Sequence, residues 1–225
     1  MNARAEMLDV LASRAPGYSL PQALYNDAAF FELDLLEIFA RRWLFVGAEC
    51  EVARPGQFFT VTVGKTPIVV VRDRAGTIRA FFNTCRHRGA VVCREHRGQA
   101  ASLVCPYHNW TYDLSGRLRH ASSMGADFDA AEFPLRPLRV EILEGTIYVC
   151  MAETPPDFAP FRDAVAPSLA PHKLANAKLA LEQNVVVRGN WKLVMENSRE
   201  CYHCPSRHRT LMRSFLSLAL TKLSM

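Results

Sequence analysis

What this chain does not contain narrows its class first. No run of its 225 residues is apolar for the roughly 20 residues that a membrane-spanning helix needs. The opening Met-Asn-Ala-Arg-Ala-Glu-Met-Leu-Asp-Val carries charge throughout and has no apolar core of a signal peptide. Strong charge of either sign is missing too: the net charge is +5, spread along the chain, and no aromatic and basic interleaving marks a nucleic-acid surface. Low-complexity tracts are absent, and no internal repeat is evident. The seven cysteines (Cys50, Cys85, Cys93, Cys105, Cys150, Cys201 and Cys204) are odd in number and irregular in spacing, so they do not form a disulfide framework. These absences predict a cytoplasmic protein with no membrane or nucleic-acid partner. What is present is a hydrophobic content of 49% with 22% charge, enough to bury a core as one large or two modest domains.

The pattern of apolar residues predicts an amphipathic helix over 26–40, where Phe30, Phe31, Leu33, Leu35, Leu36, Ile38 and Phe39 interleave with Glu32, Asp34 and Glu37 behind an Asn26-Asp27 cap. Short β-rich runs follow at 43–46, 57–63, 67–72 and 77–82, separated by Gly- and Pro-containing turns, and a last strand is expected over 138–151. The Pro-rich stretch 154–160 reads as a domain boundary. Beyond it the pattern predicts a short helix over 161–169, a strand over 178–188 and a helix over 191–202, which would bring Glu196, Glu200 and His203 near one face.

Between the β-rich runs lie Cys85-Arg86-His87 and, seventeen residues after His87, Cys105-Pro106-Tyr107-His108. Two thiolates and two imidazoles suit either a tetrahedral zinc ion or a [2Fe–2S] cluster held by two cysteines on one iron and two histidines on the other. Zinc fingers pair like with like at two to five intervening residues, whereas here each pair is mixed and the first encloses one residue, which is a Rieske spacing. Neutral histidine ligands raise the reduction potential above that of an all-cysteine ferredoxin, so the expected role is one-electron transfer. Arg72, Arg74, Arg79, Arg86, Arg88, Arg94 and Arg97 make this neighbourhood basic, a setting for an acidic redox partner.

A second motif lies downstream: Asn190-Trp191-Lys192, Glu196-Asn197, then Glu200-Cys201-Tyr202-His203 with His208 five residues on. With Cys85, His87, Cys105, His108 and Trp110-Thr111-Tyr112, it makes the chain resemble the N-terminal half of the large (alpha) subunit of the Rieske non-haem iron oxygenases. That resemblance implies an α+β fold, with a small antiparallel β Rieske domain followed by the beginning of a truncated helix-grip catalytic domain. The implied segments are a helical 1–42, a Rieske domain over 43–155, the start of a catalytic domain over 156–210 and an atypical tail over 211–225. It further implies that His203 and His208 are two ligands of a mononuclear Fe(II) with open positions for dioxygen and substrate. Glu200 would be the bridge to a Rieske histidine of a neighbouring subunit in a homotrimer, and electrons would come from NAD(P)H through a reductase or ferredoxin.

Glu200 and Asn109 stand where most of that family carries Asp and Gly. Glu within Glu-Cys-Tyr-His-Cys is similar to the branch acting on quaternary ammonium compounds, such as glycine betaine and carnitine monooxygenases, and implies monooxygenation with N-demethylation of a small cation. The alternatives are the alpha subunit of an aromatic ring-hydroxylating dioxygenase and a stand-alone Rieske electron carrier. The family's third iron ligand has no counterpart, and after Arg209 the resemblance is expected to cease, as in a truncated or frameshifted product; a short helix is the other reading, since Leu211, Met212, Phe215, Leu216, Ala219, Leu220 and Leu223 recur near helical spacing. Cys93 reads as a buried small hydrophobe. Cys201 and Cys204 could pair as a redox couple or simply pack.

Overall fold

The structure, a computed structural model, describes residues 3–214. It divides into two compact units: one runs from Asp34 to Gln183, and the other joins the residues before Asp34 to those from Asn184 onward.

The first unit is built on antiparallel strands. These are β1 (Leu44–Ala48), β2 (Gln57–Val63), β3 (Thr66–Arg72), β4 (Ile78–Phe82), β5 (Arg97–Gln99), β6 (Leu103–Val104), β7 (Thr111–Tyr112), β8 (Leu118–His120), β9 (Pro137–Leu143) and β10 (Thr146–Cys150). Seven of them make one sheet in the order β1-β10-β9-β4-β3-β2-β5, and β6-β7-β8 make a second. The sequence Ile68-Val69-Val70-Val71 is apolar without alternation because β3 is covered on both faces. Val69 and Val71 join Phe81, Cys85, Cys105, Trp110 and Tyr112 in one core, while Ile68 and Val70 join Phe59, Ile147 and Val149 in another. Each of these four side chains is fully buried, at about 1.5–3 kcal/mol of hydrophobic stabilisation apiece.

Strands expected over 57–63, 67–72 and 77–82 fall where β2, β3 and β4 lie. The single strand expected over 138–151 is instead the hairpin β9–β10, turned at Glu144-Gly145 with φ of 47° and 86°. Two successive left-handed residues are what a tight hairpin requires, and Glu in place of Asn or Asp hides the turn. The Pro-rich stretch 154–160, expected as a domain boundary, lies within the first compact unit. Trp43 Nε1 donates to Pro156 O at 2.7 Å, and Phe158 is buried with Leu143 and Tyr148 beneath a helix over Ala159–Leu169. The strand expected over 178–188 is absent: that apolar run has no strand beside it to take its N–H and C=O groups among the described residues, and Leu181, Val185 and Val186 are exposed.

The second unit contains α1 (Ala3–Ala12), α2 (Ala23–Asn26), most of α3 (Ala28–Asp34), α5 (Trp191–Arg199), α6 (Cys204–Arg207) and α7 (Arg209–Ser214), the helix over Ala159–Leu169 being α4. Asp27 Oδ1 caps α3 by accepting from Ala29 N and Phe30 N, as the helix expected over 26–40 requires, and that helix finishes as a π turn over Leu35–Phe39. Within the unit, Lys192 Nζ donates to Leu24 O at 3.1 Å and the Tyr25 hydroxyl donates to the Glu196 carboxylate at 2.9 Å. Asn190 Oδ1 caps α5 by accepting from Lys192 N. The helix expected over 191–202 stops at Arg199, because Glu200 turns to extended backbone (φ −120°, ψ 150°), and Glu200 therefore does not share a helical face with Glu196. Of the tail expected as atypical over 211–225, the first four residues continue α7 and the rest lie outside the described residues.

Candidate active site and its relatives

Two loops of the first unit repeat one backbone design. In the first, Cys85 N donates to Ala90 O and Gly89 N returns to Cys85 O; in the second, Cys105 N donates to Trp110 O and Asn109 N returns to Cys105 O, all at 2.8–3.0 Å. Each loop closes through a left-handed fifth residue, Gly89 at φ 76° and Asn109 at φ 57°. Asn is among the side-chain-bearing residues that best tolerate this region, which explains how it stands where glycine is usual.

The loops bring the four expected ligands together. Cys85 and Cys105 are 4% and 2% exposed, with their sulfurs adjacent, and His87 and His108 lie outside them with ring centroids 4.7 Å apart. Burial, with the neighbouring Cys85 sulfur, pushes the Cys105 thiol up, although the N–H groups of Tyr107 and His108 point at it. The protein alone would thus keep Cys105 as a thiol, and a bound cation is what would hold it as a thiolate. Burial, then His108 and Arg88, lowers the His87 pKa and favours the neutral ring that a metal takes. No three His, Cys, Asp or Glu side chains converge on one ion among the described residues. A two-iron core that takes two side chains on each iron fits this donor set better than a single zinc does. Arg86 Nε and Trp110 Nε1 are buried donors without a protein partner among the described residues.

Asn83, which the sequence did not single out, supports these loops together with Cys93, Trp110 and Tyr112, which it did. The Asn83 side chain donates to Cys93 O at 2.7 Å and accepts from Cys93 N at 2.8 Å, fixing the strand that leads into Cys85. Cys93 is buried, its thiol pushed to about 12, as expected of a packing residue. The Tyr112 hydroxyl lies 3.3 Å from Cys85 Sγ and accepts from Arg86 N at 3.0 Å. Trp110 stacks on His87 at 5.0 Å. A signal for Asn83 is its place directly before Thr84-Cys85 at the end of an apolar strand, where a lone amide needs a partner.

The basic rim expected around this site is thinner than its count of arginines. Arg72 is engaged by Val52 O, Gly76 O and Glu49, Arg79 by Asp73, and Arg97 by Glu51 and Glu182.

The second unit holds His203 and His208 with ring centroids 5.2 Å apart. Glu200 shapes the first of them: one carboxylate oxygen meets His203 Nδ1 at 2.8 Å, and the other accepts from Tyr202 N at 2.6 Å. The His203 bond, then the Tyr202 N–H, holds the Glu200 carboxyl below the usual carboxylate range. With Nδ1 engaged, Nε2 is the nitrogen left for a metal. Cys201 and Cys204 are joined in a disulfide that brackets Tyr202 and His203, so the two sulfurs do pair. Glu200, His203, Cys204 and His208 line a cavity of about 810 Å³.

Comparison with known proteins matches residues 42–142 to the Rieske [2Fe-2S] domain and residues 171–221 to the ring hydroxylating alpha subunit (catalytic domain). The chain carries a Rieske domain and part of a ring-hydroxylating alpha-subunit catalytic domain. The second match continues past Arg209, where the sequence reading has the resemblance cease. The glycine betaine monooxygenase oxygenase subunit of Chromohalobacter salexigens is 46% identical over 95% of this chain and 48% of its own length; that of Pseudomonas aeruginosa is 44% identical over 95% and 50%. The anthranilate 1,2-dioxygenase large subunit of Burkholderia cepacia is 33% identical over 92% and 51%. Among solved structures, the quaternary ammonium Rieske monooxygenase CntA in complex with L-carnitine superposes with a TM-score of 0.80 at 31% identity, over 86% of this chain and 56% of that one. The chain thus spans about half the length of the curated relatives it matches.

Proposed function

We propose that this chain is the cluster-bearing portion of an oxygenase that acts on a small quaternary ammonium compound, with electrons supplied from NAD(P)H by a reductase or ferredoxin. The observation that carries the reading is the pair of matched loops, which place two buried cysteines and two outer histidines side by side. Cys85 and Cys105 would hold the inner iron of a [2Fe–2S] cluster, and His87 and His108 the outer one. His203 and His208 would hold a mononuclear iron. That iron, when bound, supplies the activation of dioxygen for insertion into the substrate. In this reading Glu200 fixes the His203 ring by holding Nδ1, so that Nε2 keeps its aim, and provides a carboxylate beside the iron for a Rieske histidine of a neighbouring subunit in a trimer. Trp110 holds the plane of His87, and the Tyr112 hydroxyl with Arg86 N fixes the Cys85 sulfur. Substrate class rests on Glu200 itself and on the glycine betaine and carnitine enzymes among the relatives; a dioxygenase acting on aromatic rings is the second reading, favoured only by more distant relatives. The compartment in this reading is the cytoplasm, supported by five cysteines that stay free beside the single Cys201–Cys204 bridge among the described residues.

Iron and acid-labile sulfide per chain, with low-temperature EPR after dithionite reduction, test the cluster. Formaldehyde release from glycine betaine and from carnitine, in the presence of a reductase, tests the substrate class. A chain with zinc and no sulfide overturns the first, and product from an aromatic substrate alone overturns the second.

A further inference from the structure

One seven-residue turn occurs twice in the first unit. Asp73-Arg74-Ala75-Gly76-Thr77-Ile78-Arg79 and Asp113-Leu114-Ser115-Gly116-Arg117-Leu118-Arg119 share Asp, a small residue, Gly, a branched aliphatic and Arg at the same places. The bonding repeats as well. Asp73 Oδ1 accepts from Ala75 N and Thr77 N, and Oδ2 from Arg79 Nε at 2.6 Å; Asp113 Oδ1 accepts from Ser115 N and Arg117 N, and Oδ2 from Arg119 Nε at 2.7 Å. Gly76 and Gly116 both have positive φ, and a side chain at Gly116 would also meet the Phe81 ring at 2.5 Å. The two turns line a single cavity of about 510 Å³.

Within that cavity Asp73 and Asp113 neutralise Arg79 and Arg119. Arg74 reaches only Ala101 O, at 3.5 Å, and the Arg117 guanidinium has no partner among the described residues. Two exposed cations therefore stand over a rigid floor of paired charges. The floor is joined to the cluster loops, because β7 runs from the Cys105–Trp110 loop straight into the second turn, and Tyr112, the residue before Asp113, reaches Cys85 Sγ. His87 and His108 belong to the other end of β7, the side that the proposed function reserves for the electron acceptor.

We propose that the paired turns are the docking surface for an acidic electron-donating protein, with Arg74 and Arg117 as the cations that it meets. This rests on the cluster assignment above for its purpose, but not for its binding. Exposed cations over a rigid floor suit rapid, salt-sensitive encounter with a carboxylate-bearing partner.

The test uses a plant-type [2Fe–2S] ferredoxin as the acidic probe, titrated against the full chain by calorimetry and followed by stopped-flow reduction of the cluster. Arg74→Glu with Arg117→Glu is expected to weaken binding and slow reduction about tenfold at low ionic strength, the difference fading near 0.5 M salt. Arg139→Glu, on a separate cavity, serves as the control and is expected to change neither. Equal loss in the control, no loss in the double variant, or loss of inorganic phosphate or oligonucleotide binding with the ferredoxin unaffected would overturn the proposal. An unchanged cluster spectrum shows that the double variant is folded. A wild-type chain without a cluster would defeat the functional reading while leaving calorimetry to decide this one.

Discussion

The two units support their candidate ligands by different means. In the Asp34–Gln183 unit each ligand loop is closed by paired backbone bonds, and behind it stand a buried amide, a buried tyrosine and the fully covered strand β3. In the other unit His203 and His208 flank the short helix α6 among exposed residues: Leu193, Val194 and Met195 are about half exposed and Tyr202 is 87% exposed. There the geometry comes from bonds within a few residues, those of Glu200 and the Cys201–Cys204 bridge. A cluster site can thus be carried whole by a small cross-braced sheet. The histidine pair is held only locally.

Removing a ligand from each unit breaks this contrast most sharply. Cys105→Ala is expected to reduce acid-labile sulfide to background and bleach the cluster absorption, since three remaining side chains cannot hold both irons. His203→Ala is expected to leave sulfide and spectrum as in the wild type while lowering the third iron. Loss of sulfide in the His203 variant would mean that the two sites are not independent.

The next largest effect is expected at the brace. Asn83→Ala strips the Cys93 backbone N–H and C=O of their partners at a buried position, a loss of about 2 kcal/mol, visible as a lower denaturation midpoint at unchanged slope. An unaltered midpoint would show that the Cys93 peptide finds other partners. Smaller still is the loop-closing residue. Asn109→Ala is expected to cost about 1 kcal/mol because alanine resists the left-handed region, while Asn109→Gly stays within a few tenths; equal values for both would remove that account of the loop.

Much of the first unit is legible in the sequence because its determinants are local. Apolar runs and turns mark β2 to β4, and the spacing of Cys85, His87, Cys105 and His108 marks four residues that two loops bring together. What is not legible depends on partners. The hairpin β9–β10 turns on Glu144, whose identity gives no hint of positive φ, and 178–188 reads as a strand only if something lies beside it. The 3.6 period of 191–202 is unbroken in sequence and places Glu200 on a helical face, whereas its carboxylate captures Tyr202 N and His203 and ends the helix. The repeat of the Asp73 and Asp113 turns is hard to see in the letters because only five of its seven places are shared in type, and its meaning lies in the bonds.

Those turns also supply the finest measurement of the contrast, through pH. Burial alone would raise Asp73, but Arg79 and the N–H groups of Thr77 and Ala75 outweigh it; burial likewise opposes, and the Ser115 hydroxyl, Arg117 N–H and Arg119 overcome, the shift at Asp113, so both carboxyls sit below their usual range. A depressed folded pKa contributes stability that is present in full above the unfolded value of about 3.9 and is lost as pH falls through the folded one. The stability gap between wild type and Asp113→Asn is therefore expected to be constant from pH 7 to about 5 and to close as the folded value is passed. Glu200 is depressed too, by His203 and Tyr202 N, yet it is solvent-exposed. Glu200→Gln is expected to leave the denaturation midpoint unmoved across the same pH range, since screening by water leaves an exposed pair little net effect. An acid-sensitive gap at Glu200 as large as that at Asp113 would mean that the histidine segment is braced as firmly as the sheet.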